Sequence, residues 1–221
     1  MENIIVFGGS DHARLVLDII KNENKYNVIG IIDDFLEKNT IVFGYKVLGK
    51  LNELESILLS FKGVNSGIIA IGDNYTRHTF AEKIKKIKTD FLFVSTIHPS
   101  TILGSNVKIN DGCVISAGVI INNDTVIGEH CYLGMKVAIS HDGKVDDFCS
   151  LAPGVTAGGN VNIGNLTAIG LGTNIIHGKN IGEQNVIGAG SLVVNNFENN
   201  LLVYGVPAKV IKKRKIDDPY L

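Results

Sequence analysis

The chain has 221 residues, 45% of them hydrophobic and 19% charged, with a formal net charge of -1. That length can bury one large core or two modest ones, and the balanced charge gives no bias toward nucleic acid or an anionic membrane surface. No apolar run approaches the ~20 residues of a membrane helix, and the N-terminus MENIIVFGGSDHA has neither a basic leader nor a long apolar stretch, so the expectation is a cytoplasmic protein without membrane insertion.

The first hundred residues alternate between two periodicities. NIIVFG is a short apolar strand, followed by GSDHARLVLDIIK, where Ala13, Val16, Leu17 and Ile20 fall at helical spacing. VIGIIDD reads as a second strand, LNELESILLSF as a helix and GIIAIGDN as a third strand. YTRHTFAEKIKKI reads as a helix with Phe80, Ile84 and Ile87 on one face. This order predicts a small parallel α/β domain over residues 1–96, with FLFVSTIHPSTILG linking it to the C-terminal half.

From Leu103 to Val193 every sixth residue is aliphatic, through Ile121, Ile139, Leu151, Ile163, Ile175 and Ile187, without a break. Small residues often come directly after these guide positions, as at Gly104, Gly134, Gly158, Gly170 and Gly188. A period of six suits neither an α-helix nor a two-sided strand. It suits a parallel β-helix, three short strands to a coil of 18 residues, with the small residues expected to turn the corners. Cys113, Cys131 and Cys149 are one coil apart and predict a column of small core fillers, not disulfides. The pattern resembles the hexapeptide-repeat acyltransferases, and that resemblance implies a left-handed β-helix and a homotrimer for residues 97–221.

In open parallel sheets ligands sit beyond the carboxyl ends of the strands. Three polar turns fall there: Gly8-Gly9-Ser10-Asp11-His12, Asp33-Asp34 and Gly72-Asp73-Asn74. Backbone N–H groups at the first turn suit a phosphate, and the acids some 20 residues on suit a ribose or base. A glycine-rich turn also serves simply to turn the chain.

The order GGSDHA, DD, AIGDN, IHPST, hexapeptide coils and YGVPAKVI resembles bacterial sugar acetyltransferases related to PglD and NeuD along nearly the whole chain. The resemblance implies that Gly8, Ser10, His12, Asp33, Asp34 and Asn74 contact a nucleotide-activated amino sugar. Asp11 stands where the family pattern commonly has glycine, and an extra carboxylate there repels a diphosphate unless it turns away.

One titratable pair, His141-Asp142 in AISHDGK, interrupts the small and aliphatic residues of the coils. The resemblance makes His141 the general base, with Asp142 orienting it. An amine attacking a thioester must lose a proton, and a neutral imidazole can accept it. A carboxylate on the other ring nitrogen fixes the tautomer. The resemblance also assigns the Gly159 N–H to the thioester oxygen. It lays acetyl-CoA along Gly170, Thr173, Gly188 and Ala189 between two subunits, and adds Ser150, Pro207, Ala208 and Lys209. Many relatives carry a histidine at the position of Ser150. The lysine-rich end, Lys209 to Lys215, suits the phosphates of CoA or is a solvated tail.

Competing readings are sugar O-acetylation of the sialic acid type and a non-catalytic binding protein on the same fold. His177 lies two coils from His141 in the same slot, roughly 10 Å along the axis. That is too far to share a zinc within one chain, and a third ligand is missing, so no metal is expected.

Overall fold

The structure, a computed structural model, describes residues 1–215 and 217–218. The N-terminal part runs β1 (Glu2–Phe7), α1 (Asp11–Glu23), β2 (Tyr26–Ile32), β3 (Ile41–Val42), β4 (Tyr45–Gly49), α2 (Leu54–Ser60), β5 (Ser66–Ile69), α3 (Asn74–Ile87) and β6 (Leu92–Phe93). The sheet order is β3-β4-β2-β1-β5-β6, parallel except for the β3–β4 hairpin. Ile4, Ile5, Val6 and Phe7 are all fully buried, as expected of a central strand covered by helices on both faces. The chain leaves β1 toward β2 on one side and reaches β5 on the other. A crevice therefore opens at the carboxyl ends of β1 and β5.

The rest is a three-faced prism. The first face stacks Thr96–Ile97, Val114–Ile115, Tyr132–Leu133, Ser150–Leu151, Ala168–Ile169 and Val186–Ile187. The second stacks Ile102–Leu103 through Leu192–Val193 in six rungs, and the third Lys108–Ile109 through Asn180–Ile181 in five. Partners in neighbouring rungs are 18 residues apart throughout, as Leu133↔Leu151 and Ile139↔Ala157 show. The guide residues form the interior, nearly all of them buried from Ile115 to Val193, with the three cysteines among them. Each thiol donates to a carbonyl 15 residues on, Gly128, Asp146 or Gly164, at 3.0–3.1 Å.

Three details differ from the sequence expectation. The predicted link is already the first coil, because Thr96–Ile97 pairs with Val114–Ile115. The basic tail is a strand, since Ala208–Lys213 pairs antiparallel with Leu201–Gly205 at the edge of the first face. The corners are turned elsewhere than expected. Every sixth residue from Asn106 to Gly190 has positive φ, and these lie three places after the guide. Asp, Asn and Gly recur there because they tolerate the left-handed region best. The small residue directly after the guide answers a different constraint. A Cβ on Gly134 would come within 2.6 Å of the Pro153 nitrogen in the next coil.

The α/β domain docks on the first face and its edge. Tyr132 and Val114 pack against the α1 side, and Phe148 against the α3 side. Arg77, 3% exposed, runs through the joint. Its Nε donates to His130 O at 2.9 Å, and one terminal nitrogen donates to Ile71 O and Gly72 O, both at 2.9 Å. The other reaches Asn74 Oδ1, Phe148 O, Cys149 O and the Ser150 hydroxyl.

Candidate active site

His141 and Asp142 sit on the edge between the second and third faces, just past the Ala138–Ile139 rung. Asp142 is a corner residue with φ 55°. Its carboxylate Oδ2 lies 2.8 Å from His141 Nδ1. A neutral ring that donates from Nδ1 keeps the Nε2 lone pair for an incoming proton. About half of each side chain is exposed, so the pair meets solvent in the single chain.

Gly159 lies one coil beyond His141. A Cβ there would stand 2.5 Å from His141 Cε1 and Nε2, closer than real Cβ contacts come. The ring therefore rests on the glycine, and any larger residue would lift it away. Gly159 is buried beneath the ring, and its N–H makes no hydrogen bond among the described residues. The coil is held in place below and above, with Asn160 N donating to His141 O at 2.9 Å and Gly178 N to Gly159 O at 2.8 Å.

A second site lies on another edge. A cavity of about 430 Å³ opens where the strand ends of the α/β domain face the prism. His12, Gly72, Ser150, Gly170, Gly188 and Ala189 line it, so one residue assigned to the sugar nucleotide and four assigned to CoA share this space. His12 packs edge-on against Tyr132 with ring centroids 4.9 Å apart. Burial, assisted by the Arg77 charge, lowers its pKa to about 4, so it enters this site as neutral imidazole.

The other residues assigned from the sequence are spread over both domains. Gly8 has φ 104°, and a Cβ there would touch Ala70 O at 3.0 Å, so only glycine fits beside β5. Ser10 precedes α1, exposed and without a side-chain capping bond. Asp33 is spent on the chain itself: Oδ2 accepts Gly9 N–H at 2.8 Å, and Oδ1 accepts Phe35 N–H at 2.8 Å and Leu36 N–H at 3.0 Å. Asp34 turns the other way and accepts Leu51 N–H at 2.8 Å. Asn74 is buried in the joint, where its amide donates to Thr167 O at 3.2 Å and its oxygen takes Arg77 and the Ser150 hydroxyl. Thr173 faces the interior, its hydroxyl on Gly188 O at 3.2 Å, and Ala208 is also interior. Pro207, after a cis peptide bond, and Lys209 are exposed on the terminal hairpin. Asp11 is exposed in the first turn of α1 and borders a separate groove with Arg14 and Met135.

Sequence reasoning missed Arg77. Its signal was present, because Arg77 is on the same helical stripe as Phe80 and Ile84, where a cation is out of place. Ser150 lies inside the Arg77–Asn74 network, its hydroxyl donating to Asn74 Oδ1 and accepting from Arg77. Among the described residues no group of three or more His, Cys, Asp or Glu converges as a metal site, and no helix is long and apolar enough to cross a membrane.

A hexapeptide β-helix joined at its first face to a parallel α/β domain, with an oriented imidazole on one edge, defines the class of two-domain hexapeptide-repeat acetyltransferases. Residues 3–84 match the PglD N-terminal domain family. A solved structure of PerB from Caulobacter crescentus, in complex with CoA and GDP-perosamine, is similar over 96% of this chain and 98% of that one, at 30% identity and a TM-score of 0.87. The acetyltransferase domain of PglB from Neisseria gonorrhoeae FA1090, in complex with acetyl coenzyme A, is similar over 95% and 99% of the two chains, at 25% identity and a TM-score of 0.85. The UDP-N-acetylbacillosamine N-acetyltransferase of Bacillus subtilis (strain 168) is 29% identical over 122 residues, 53% of this chain. The matched stretch spans about half (52%) of that curated relative. The chain belongs to the PglD-related family of sugar acetyltransferases, and its coils form the left-handed β-helix of that family.

Proposed function

We propose that the chain transfers the acetyl group of acetyl-CoA to an amino group on a nucleotide-activated sugar, in the synthesis of a surface glycan precursor. The observation that carries this reading is the His141–Asp142 pair laid on Gly159. His141 Nε2 takes the proton of the amine as its nitrogen bonds to the thioester carbonyl carbon. Asp142 holds Nδ1–H and favours the imidazolium that forms. Collapse of the tetrahedral intermediate breaks the carbon–sulfur bond, the amide remains on the sugar, and the proton leaves with the CoA thiol. The Gly159 N–H is the donor for the carbonyl oxygen as charge develops on it. Residues 1–96 hold the nucleotide and residues 97–221 the acetyl donor. Both co-substrates are cytoplasmic metabolites, and the protein works there.

The working unit is a homotrimer. The first face of the prism is covered by the α/β domain, and the third presents Lys108, Lys144, Asn162 and Asn180 to solvent. The second face is uncovered and apolar at its start, with Ile102 and Ile120 exposed. The His141 edge and the Ser150–Gly188 cavity flank this face on opposite sides. One chain therefore cannot bring base and cavity together, whereas a cyclic, head-to-tail contact through this face places the base of one copy at the cavity of the next.

The test is turnover by His141→Ala with acetyl-CoA and UDP-, dTDP- or GDP-linked 4-amino sugars, with sialic acid as the oxygen acceptor. Loss of about 10²–10⁴ in kcat is expected, with CoA binding retained and the amino sugars preferred. A fully active variant overturns His141 as base, and preferred acetylation of sialic acid overturns the choice of acceptor.

A further inference from the structure

Among the described residues Phe35 is the most exposed large apolar side chain, at 96%. A single exposed apolar side chain is ordinary on a protein surface. What sets Phe35 apart is that it is an aromatic ring held outward on a fixed bend at the strand ends. The backbone beneath it is firmly held. The Asp33 carboxylate receives the N–H groups of Phe35 and Leu36 on one oxygen and that of Gly9 on the other. Leu36 in turn closes onto the first turn, where a Cβ on Gly9 would come within 2.6 Å of Leu36 Cδ1. Val42 of the β3–β4 hairpin lies alongside, 3.7 Å from the same point. The segment thus turns Leu36 inward and leaves Phe35 outward on a pinned bend.

Its place in the sheet points to a use. Phe35 comes three residues after the end of β2, and β2 adjoins β1, whose end carries the Gly8-Gly9-Ser10 turn. In open parallel sheets of this order a nucleotide lies across the strand ends, with phosphates at the first βα turn, ribose at the end of the neighbouring strand, and the base beyond it. The Asp33 carboxylate is already occupied by three backbone donors. Recognition beyond the ribose then falls to the next outward side chain, and an exposed aromatic face is a stacking surface for a heterocycle.

We propose that Phe35 is the platform on which the base of the sugar nucleotide stacks, and so a determinant of nucleotide affinity. This rests on the reading that residues 1–96 bind the nucleotide. Because stacking uses the π face and no particular hydrogen-bond pattern, the larger purine face gains more than a pyrimidine.

The experiment is calorimetric binding of UDP, dTDP and GDP to the full chain and to Phe35→Ala and Phe35→Trp, with oligomeric state and the KM for acetyl-CoA measured in parallel. Base–aromatic stacking predicts at least about a fivefold weaker nucleotide binding in Phe35→Ala. Phe35→Trp restores it, and the KM for acetyl-CoA and the melting temperature are unchanged. Wild-type binding that Phe35→Ala leaves intact overturns the platform and leaves the nucleotide reading standing. A change in oligomeric state with nucleotide affinity unchanged overturns it too, and makes Phe35 a contact between copies. A wild-type chain that binds none of the three overturns the nucleotide reading itself.

Discussion

The prism and the joint that carries the α/β domain solve the problem of polar groups in opposite ways. Inside the prism there is almost nothing to satisfy. Coil pairs with coil through the backbone, and the interior is mostly aliphatic; its thiols and hydroxyls donate to carbonyls one rung away, and the one amide at the top of the cysteine column, Asn185, is satisfied by backbone groups. At the joint, a guanidinium, an amide, a hydroxyl and the His130 ring are buried together, with His12 half-buried nearby. His130 lies between Phe93 and Phe148, stacked on the latter at 4.8 Å, and its Nδ1 has no hydrogen-bond partner among the described residues. The prism is built from a repeated solution, whereas the joint is a single polar assembly whose parts depend on one another. Damage to the joint should therefore spread, and damage to one rung should stay local.

Acid offers the largest perturbation of that contrast. Burial and the Arg77 charge lower His12 from 6.5 to about 4, and burial first, then Arg77 and Lys85, lowers His130 to about 3. The unfolded chain takes up these protons below pH 6.5, and the folded one resists. The stability is thus complete above 6.5 and is lost as the pH falls toward 4, at about 1.4 kcal/mol per unit for each histidine. Melting temperatures between pH 7 and 4.5 should fall steeply. His130→Leu should flatten that slope, and amide exchange should show the joint losing protection before the distal rungs. Equal loss everywhere would erase the distinction between the two regions.

Arg77→Leu is expected to come next. It strips partners from buried carbonyls of both parts and from Asn74, at a cost of at least about 3 kcal/mol. In a chain of this size that lowers the melting temperature by about 6–12 °C. Thermal unfolding with and without CoA measures it, and a shift under about 2 °C would show that the joint tolerates the loss.

The smallest change is confined to one rung. Gly159→Ala puts a methyl group where the His141 ring lies. The ring must swing off the wall, so kcat should drop at least tenfold while the melting temperature moves by no more than a degree or two. Retained activity would mean that the resting position of the imidazole is not its working one.

The sequence showed the two halves unequally. Sixteen guide positions made the prism legible, because a repeat declares each contact many times over. The corner slot was less so: Asp, Asn and Gly recur there, but Lys136, Phe148 and Leu166 occupy it too, so residue type marks it only loosely. In the α/β domain β1, β2, β5 and the three helices were readable from periodicity, the short strands β3, β4 and β6 were not, and the three polar turns do lie at the strand ends. What each acid in those turns touches was hidden. Asp33 closes a bend and Asp34 starts the next turn, both through backbone partners that only the folded chain brings near. Arg77 was legible as an anomaly on an apolar stripe, but its partners in the prism lie 53 to 73 residues away in sequence.

Slots 18 residues apart form a column running up the prism, and the one that contains the base reads Asn123, His141, Gly159, His177. Two histidines occupy equivalent addresses, yet only the lower has a vacancy directly above it, since the slot after His177 is Asn195. In such a scaffold a missing side chain can mark the place of chemistry as firmly as a present one. Moving the empty slot by one coil would shift where a base can lie flat by a single strand spacing, with every interior contact left as it was.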